Sequence, residues 1–413
     1  MVRVSRKFQR WGGVVIAVAI AGSLSPLTSA SAAVPVTWVD EQTSFILSQQ
    51  LDSGAILSVG GTKITPYFAN IAALGLIKAG TPASLSGAQK WMKWYLGHLN
   101  TSTTSVPANS VFDYTYDPGT RTETPTGDFD SVDSYASTTL NLAYAAYTSG
   151  DPALQAYVAE NIVTYEAIAN ILNYGGPTGV RIQTGADAGL TIAKPSYPIA
   201  YTMDNAEVYS GLAEFAQLES ILGRSSEATL YAAWATSTKD TIVSKLWNPT
   251  NQNWDWAYGN ESDTNVFYAQ ATAQLWPTLY GVVAPNDPKA ISAWNQFSAS
   301  YPTWYDGTLP EGYPWVSISR VAQMMGETAH ADAYLTNVHS RYAPGFGLPT
   351  SCGVAVCGRW YDNEAGWFIL ASLASNASTV QPTSKRDSRL CRSGGVPGVG
   401  TGLAHARERA CKS

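Results

Sequence analysis

Twelve amphipathic helical segments follow one another through this chain, and that repetition constrains its fold more than any other feature. Apolar side chains recur at spacings of three and four residues, and Pro, Gly, Asp or Ser interrupt the segments. Short links such as Gly150-Asp151-Pro152 alternate with long ones such as 101–129. The pattern predicts six consecutive helical pairs, near 40–51, 66–79, 84–99, 130–149, 151–172, 204–222, 226–246, 263–281, 288–299, 315–326, 328–341 and 362–374.

Long loops in a compact domain are usually functional, and two of the long loops here contain strand-like alternation. Residues 112–116 and 253–258 alternate along the chain in the way that is typical of short strands, and both are rich in aromatic residues. If the pairs close into a ring, these insertions lie on one side of it and wall a cleft. We therefore predict an all-α domain over residues 33–378, with short β insertions in the cleft-side loops.

Acidic and aromatic residues recur where the second helix of a pair begins, or in the loop that leads to it. In a closed ring the second helices form the inner layer, so their N-termini converge on one face. The five motifs are Leu51-Asp52-Ser53-Gly54-Ala55-Ile56 followed by Ile64-Thr65-Pro66-Tyr67, Asp128-Phe129-Asp130-Ser131-Val132-Asp133-Ser134-Tyr135, Tyr201-Thr202-Met203-Asp204-Asn205-Ala206-Glu207, Leu309-Pro310-Glu311-Gly312-Tyr313-Pro314-Trp315, and Trp360-Tyr361-Asp362-Asn363-Glu364.

This combination suits the hydrolysis of a glycosidic bond. That reaction needs one protonated carboxyl for the leaving oxygen and one carboxylate that activates water or attacks carbon. Aromatic faces stack on sugar rings, and the chain has 14 Trp and 23 Tyr. The competing interpretation is helix capping, because Asp130-x-x-Asp133 and Asp204-x-x-Glu207 both approach the spacing of a capping box. For each acid alone the two interpretations are balanced, whereas the whole set favours a function.

We expect Asp133 and Asp204 to form the catalytic carboxylate pair, with Asp52 the main alternative for the general acid. A general acid needs a pKa raised by burial or by a neighbouring like charge, and clustered acids supply both conditions. The candidates for holding sugar rings by hydrogen bonds and stacking are Asp130, Tyr201, Asn205, Trp315 and Trp360, with Glu311 and Glu364 as reserve carboxylates.

These motifs resemble the six-hairpin glycosidase superfamily, the (α/α)6 barrels, over roughly residues 38–376. The resemblance rests on residues 52–56 with Pro66-Tyr67, on 130–134 at the start of a long helix, and on the block 267–281. Residues 130–133 are also similar to the Asp-rich segment of family-8 endoglucanases. The Glu of their Ser-Glu-Gly motif is not found here, and that region carries Asp52. The resemblance implies an (α/α)6 barrel and a glycoside hydrolase, most such enzymes being inverting, with its cleft at the N-termini of the inner helices.

Two other functions fit a helical toroid. A polysaccharide lyase of this kind abstracts a proton with Tyr or His and neutralises a uronate with Arg or Lys. The chain has only four histidines and an acidic body, which count against that reaction. A non-catalytic carbohydrate-binding protein would depend on the aromatic residues and not on the carboxylates.

Charge is distributed unevenly along the chain. Residues 33–381 contain 14 basic and 29 acidic residues, whereas residues 382–413 contain seven basic and two acidic ones. An acidic body repels nucleic acid and anionic membranes, so we expect neither as a partner. We expect a monomer whose partner is a neutral or weakly charged polysaccharide or oligosaccharide. Residues 379–413 lack periodicity, and we interpret them as a disordered basic tail.

Residues 1–32 have the three parts of a secretory signal. Four basic residues lie within the first ten positions, the apolar run 12–22 follows, and Ala30-Ser31-Ala32 matches a cleavage site. The apolar run is shorter than the ~20 residues that span a bilayer. The sequence therefore predicts cleavage near Ala32 and a secreted, extracellular protein.

Cys352 and Cys357 are close enough in the sequence to form a local disulfide in an exported protein. A structural zinc site is the alternative, but the pair lacks CxxC spacing and a nearby histidine. The chain contains no phosphate loop, nucleophile elbow or dinucleotide fingerprint. We therefore predict no cofactor and no metal.

Overall fold

The structure is a computed structural model that describes residues 34–58, 61–101, 106–311, 313–342 and 360–379. These residues form thirteen α-helices, and most of them match the predicted segments within a few residues. In chain order the helices are α1 Val36–Ser48, α2 Pro66–Ala79, α3 Pro82–Gly97, α4 Val132–Thr148, α5 Pro152–Glu160, α6 Ile162–Ile171, α7 Thr202–Ile221, α8 Ser225–Lys245, α9 Trp276–Leu279, α10 Pro288–Ser300, α11 Ser317–Met324, α12 Thr328–Tyr342 and α13 Asp362–Thr379.

Six helices form a closed inner ring. Each contacts the next in the order α2, α4, α7, α9, α11 and α13, and α13 returns to α2. The others lie outside this ring, for example α8 against α7 and α12 against α11. Inner helices alternate with outer ones along the chain, so the inner N-termini share one face. The predicted closed ring of helical pairs is confirmed.

The ring closes where two glycines meet. A Cβ atom added to Gly75 of α2 would lie 2.7 Å from the Cα of Gly366 in α13, and one added to Gly366 would clash with the carbonyl oxygen of Ile71. Neither glycine has a positive φ, so their role is close approach. Without side chains at these two positions, the first and last inner helices can pack backbone against backbone.

The short strands lie in loops that lead to inner helices. Strands β1 (Lys63–Ile64), β2 (Tyr114–Asp117) and β3 (Thr122–Pro125) form an antiparallel sheet in which Ile64 pairs with Tyr114 and Tyr114 with Pro125. Strands β4 (Trp247–Asn248) and β5 (Asn253–Trp254) form a two-stranded hairpin. Because β1 directly precedes α2, the larger sheet lies on the face where inner helices begin, as predicted for the β insertions.

Two predicted helices differ from the structure. The segment expected at 263–281 is not one regular helix: Tyr268 has extended backbone angles, irregular turns continue to Gln274, and only α9 is α-helical. The apolar periodicity that suggested a helix belongs to side chains that are buried, such as Phe267 and Leu275. The segment expected at 151–172 breaks at Asn161, which ends α5 and precedes α6.

Several sequence predictions fall outside the described residues. These are the signal at 1–32, Cys352 with Cys357, and the tail predicted at 379–413 apart from Thr379, which ends α13. All of them stay predictions. Within the described residues, no helix is both long and apolar enough to cross a membrane.

Candidate active site

Two carboxyl groups, one buried and one half-buried, meet at the N-termini of α4 and α7. Asp133 lies in the first turn of α4 and Asp204 in the first turn of α7. The hydroxyl oxygen of Ser131 lies 2.6 Å from Oδ1 of Asp133 and 3.1 Å from Oδ2 of Asp204. The structure thus brings together the two acids that were predicted as a pair, with one serine hydroxyl between them.

Asp133 is held by hydrogen-bond donors on both oxygens. Its Oδ1 accepts from the Ser131 hydroxyl and, at 3.0 Å, from the Ser134 N–H, while Oδ2 accepts from the Thr191 hydroxyl at 2.7 Å. Thr191 comes from the long loop before α7 and lies over the start of α4. Burial raises the pKa of Asp133 to about 6, and these hydrogen bonds oppose that rise because they favour the ionised form.

Asp204 has a different environment. Burial, together with the carboxyl groups of Asp133 and Glu207, raises the pKa of Asp204 well above its usual range. Its side chain is half-buried, whereas Asp133 is 0% exposed. Asp204 is therefore the member of the pair that keeps a proton and is still accessible from the cleft.

Proton counting at Ser131 leads to the same assignment. A serine hydroxyl has a single hydrogen to donate, yet its oxygen lies within hydrogen-bond distance of both carboxyl groups. The shorter contact is with Asp133, which accepts that hydrogen. The contact with Asp204 is then satisfied when protonated Asp204 donates to a lone pair of Ser131.

A third carboxyl group, that of the buried Glu207, lies one turn along α7. Its Oε1 accepts hydrogen bonds from the Tyr67 hydroxyl at 2.7 Å and from Nε1 of Trp276 at 2.8 Å. Burial raises the pKa of Glu207 to about 7, while hydrogen bonds from Ser134, Trp276 and Tyr67 lower it. Sequence reasoning interpreted Glu207 only as a possible capping partner of Asp204. The structure instead places it in the floor of the site, because residues three apart on a helix share a face.

Neither Asp130 nor Asp204 caps its helix, so the capping interpretation is wrong for both of these acids. The residue before α4 is Ser131, and its own side chain accepts the Ser134 N–H, so Asp130 does not cap the helix. The residue before α7 is Tyr201, which makes no side-chain cap. Asp133 and Asp204 are inside their helices, where the positive end of the helix dipole favours a negative charge.

The exposed wall of the cleft consists of aromatic side chains and two acids. Tyr268 is 55% exposed, and its ring centre lies 5.4 Å from that of Trp315. Asp130 and Glu311 are exposed, and their charges together with those of Asp204 and Glu207 add to the effect of burial in raising the pKa of Tyr268. Trp315 also donates from Nε1 to Glu311 at 3.3 Å. Of these residues, Tyr268 was not predicted, because the segment around it was expected to be helical.

Of the two predicted sugar-binding residues at the start of α7, Tyr201 is partly exposed, whereas Asn205 is buried and cannot contact a sugar, which corrects its expected role. Tyr201 is half-buried at the start of α7, and its ring centre lies 5.6 Å from that of Trp256. Asn205 is buried and its amide is fully used: Oδ1 accepts the Thr191 N–H at 2.8 Å, and Nδ2 donates to the Tyr201 carbonyl oxygen at 2.8 Å. Asn205 therefore positions Thr191, and through it Asp133.

Two other predicted residues lie apart from the carboxylate pair. Asp52 is fully exposed and lies 4.0 Å from Arg121, so it is apart from the buried carboxyl groups of the site. Trp360 is 3% exposed and donates from Nε1 to Gln42, so it belongs to the core and cannot stack on a sugar. These positions correct the expected roles of both residues.

Glu364 belongs to a second buried acidic group, at the start of α13. Its Oε2 accepts the Val316 N–H at 2.6 Å, and burial raises its pKa to about 7. Burial also raises the pKa of the neighbouring Asp362 well above its usual range. Because Glu364 holds the backbone at Val316, next to Trp315, it supports the aromatic wall.

The described residues contain no group of three or more His, Cys, Asp or Glu side chains with the geometry of a metal site. What the site offers chemically is a carboxyl group with a raised pKa, neighbouring carboxyl groups and aromatic surfaces. These groups can donate and accept protons at a bound ligand.

Neither a protein-family model nor a curated protein matches this chain. Its fold, however, matches solved structures of glycosidases. One is the GH63 mannosylglycerate hydrolase of Thermus thermophilus in complex with glucose, with a TM-score of 0.57 and 11% identity over 81% of this chain and 99% of that one. Another is the GH76 α-mannanase of Bacteroides thetaiotaomicron, with a TM-score of 0.51 and 14% identity over 83% and 96%. A third is a metal-independent α-mannosidase of Streptococcus pneumoniae, with a TM-score of 0.56 and 9% identity over 82% and 94%.

At these identities the likeness establishes the fold. The chain has an α/α toroid similar to that of these glycosidases, which confirms the (α/α)6 barrel that the sequence motifs implied.

Proposed function

We propose that this protein is a glycoside hydrolase in which Asp204 is the general acid. The observation that carries this proposal is the Asp133–Ser131–Asp204 contact on the cleft face of a glycosidase toroid. A general acid must hold its proton at the working pH and be accessible to the sugar. Asp204 meets both conditions, because its pKa is raised and its side chain is half-buried.

Asp133 acts on the sugar only through Asp204. It is completely buried and occupied by three donors, so neither water nor substrate can reach its oxygens. Its negative charge keeps the proton on Asp204, since two adjacent carboxyl groups do not both ionise easily. Asp133 is therefore a positioning residue and not the second catalytic carboxylate.

The second catalytic carboxylate in this proposal is Asp130. It is exposed, it lies near enough to raise the pKa of Asp204, and it also acts on Tyr268. An exposed carboxylate near the acid can take a proton from water as that water attacks the sugar. Tyr268 and Trp315 supply the surface on which the sugar ring stacks.

We propose a neutral polysaccharide or oligosaccharide as the substrate, and a secreted enzyme. The cleft residues described above are acidic, so an anionic glycan would be repelled. Among proteins of the same fold, the α-mannanase and the α-mannosidase are named for mannosides, and two structures contain glucose. Linear and branched α-mannans and α-glucans are therefore the first substrates to test.

A lyase reaction is disfavoured by the tyrosines of the site. Burial and the neighbouring Glu207 raise the pKa of Tyr67 well above its usual value, and burial with Asp204 raises that of Tyr268. A tyrosine acts as a base only when it can lose its proton, and these groups hold theirs more tightly than usual.

The test is release of reducing ends from a panel of neutral polysaccharides, with wild type beside Asp204→Asn, Asp133→Asn and Asp130→Asn. The matched control is Asp240→Asn on the outer helix α8, where the side chain is exposed. We expect at least one glycan to be cleaved, activity to fall at least a hundredfold in Asp204→Asn, and the control to match wild type. Folded protein that binds a glycan without cleaving any would overturn the hydrolase and leave a binding protein. Products that absorb in the ultraviolet would indicate a lyase.

A further inference from the structure

A second cavity lies inside the ring, away from the carboxylate pair. Its volume is about 430 Å³. All six inner segments contribute to its wall, from their middle and last turns: Leu74 in α2, Tyr144 in α4, Glu214 in α7, Leu279 in α9, Met324 in α11 and Leu370 in α13. Because the inner helices begin at the candidate active site, this cavity lies toward the opposite face of the ring.

The wall is mostly apolar, and it contains two cations, the exposed Lys78 and the half-buried Arg320. Arg320 of α11 is half-buried, and burial lowers the pKa of its guanidinium group. Its Nη1 donates to Gln323 Oε1 at 2.7 Å. Within the described residues Arg320 has no carboxylate partner, and the bond to Gln323 uses one of its five N–H donors. Partial burial of an uncompensated charge costs free energy that an anionic ligand would offset.

Two buried polar atoms of the wall have no hydrogen-bond partner among the described residues: Asn141 Oδ1 and the Tyr280 hydroxyl. Asn141 itself is 7% exposed. The carboxylate of Glu214 accepts from Asn141 Nδ2 at 2.7 Å, and the positive charge of Lys78 acts on it. The cavity therefore offers a half-buried cation without a carboxylate partner, two unused polar atoms and a large apolar surface that includes Trp367.

We propose that this cavity is a second binding site, which takes a small organic carboxylate with an apolar or aromatic body. The planar guanidinium of Arg320 matches a carboxylate through two parallel hydrogen bonds. The body of the ligand packs against Trp367, Leu370 and Met324, in a space that has the size and composition of small-molecule sites. This site does not depend on the proposed hydrolase activity.

Isothermal titration of the full chain with three probes tests the proposal. The probes are 3-phenylpropionate, its uncharged counterpart 3-phenylpropan-1-ol, and inorganic phosphate as an anion without an apolar body. We expect measurable binding of 3-phenylpropionate alone. If 3-phenylpropionate does not bind, the proposed site is refuted. If the alcohol binds equally well, the ligand needs no negative charge and the role of Arg320 is refuted. If phosphate binds equally well, the ligand needs no apolar body.

Two variants locate the binding. Arg320→Met keeps an apolar stem and removes the charge, and we expect binding to weaken at least tenfold. The matched control is Arg341→Met, an exposed arginine of α12, which should bind as wild type does. If Arg320→Met does not fold, Leu370→Trp narrows the cavity with Arg320 in place and should abolish binding. Unchanged affinity in the folded cavity variants would place the ligand elsewhere and refute the proposal.

Discussion

Replacing Ser131 by alanine tests how the proton is shared between Asp133 and Asp204. The change removes one of three donors to Asp133, the one at 2.6 Å. A hydrogen bond to a charged acceptor contributes about 1.5–3 kcal/mol, and each pKa unit corresponds to about 1.4 kcal/mol. The pKa of Asp133, raised to about 6 in wild type, should therefore rise by a further ~1–2 units. The helix also loses its N-cap, at about 1 kcal/mol of stability.

The direction of the effect on activity follows from these protonation states. The active pair needs Asp133 ionised and Asp204 protonated, so the acidic limb of kcat/KM reports the protonation of Asp133. In Ser131→Ala this limb should move to higher pH by ~1–2 units. The alkaline limb should move down, because protonated Asp204 loses the oxygen to which it donates. The assay is a pH profile of kcat/KM on the best substrate of the panel.

Ser131→Thr is the matched variant, because it keeps both the hydroxyl and the cap and should restore the wild-type profile. A 13C NMR titration of labelled aspartate carboxyls gives the same information without any substrate. If Ser131→Ala lowers the rate equally at every pH while both limbs stay in place, the serine only caps α4 and the proton-sharing argument is refuted.

Three further outcomes are expected. Burial raises the pKa of Glu364 to about 7, so the folded protein binds the proton of this carboxyl more tightly than the unfolded chain does. The stability that protonated Glu364 contributes is therefore lost as pH rises from about 4 to 7. Thermal denaturation across that range should show the melting temperature falling, and Glu364→Gln should reduce the fall. Gly366→Ala should lower the free energy of unfolding by about 1–3 kcal/mol, because the new methyl group clashes with α2. Gly97→Ala has open space around it and should leave the free energy of unfolding unchanged by such a clash. Denaturant titration of both variants measures the difference. Trp315→Ala should weaken substrate affinity with little loss of stability, whereas Trp360→Ala should cost about 3–5 kcal/mol of stability. Equal effects of the two changes would contradict the assignment of Trp315 to the cleft and Trp360 to the core.

The sequence determined the ring and the location of the site because both depend on periodic features. Helical spacing placed Asp133 and Asp204 near the starts of inner helices, and a closed ring then brings those starts together. No other step was needed to predict that the two acids lie close to each other.

The sequence could not distinguish exposure from burial within a motif. Asp52 and Trp360 belong to acidic, aromatic motifs just as Asp204 and Trp315 do, yet Asp52 faces solvent and Trp360 the core. The direction of a side chain depends on where its loop lies, and loop geometry has no period. Tyr268 was missed for the same reason, since its backbone is extended within a segment of helix-like spacing.

The glycine contact between α2 and α13 has a consequence for the order of folding. The first and last inner helices are neighbours, so the contact that closes the ring joins residues about 290 positions apart in the chain. Closing so long a loop costs entropy that local helix formation cannot offset. The five preceding hairpins therefore keep their inner faces partly exposed to solvent until the final helix has been synthesised. A chain truncated before α13 should stay open and bind hydrophobic dyes, however much helix it contains.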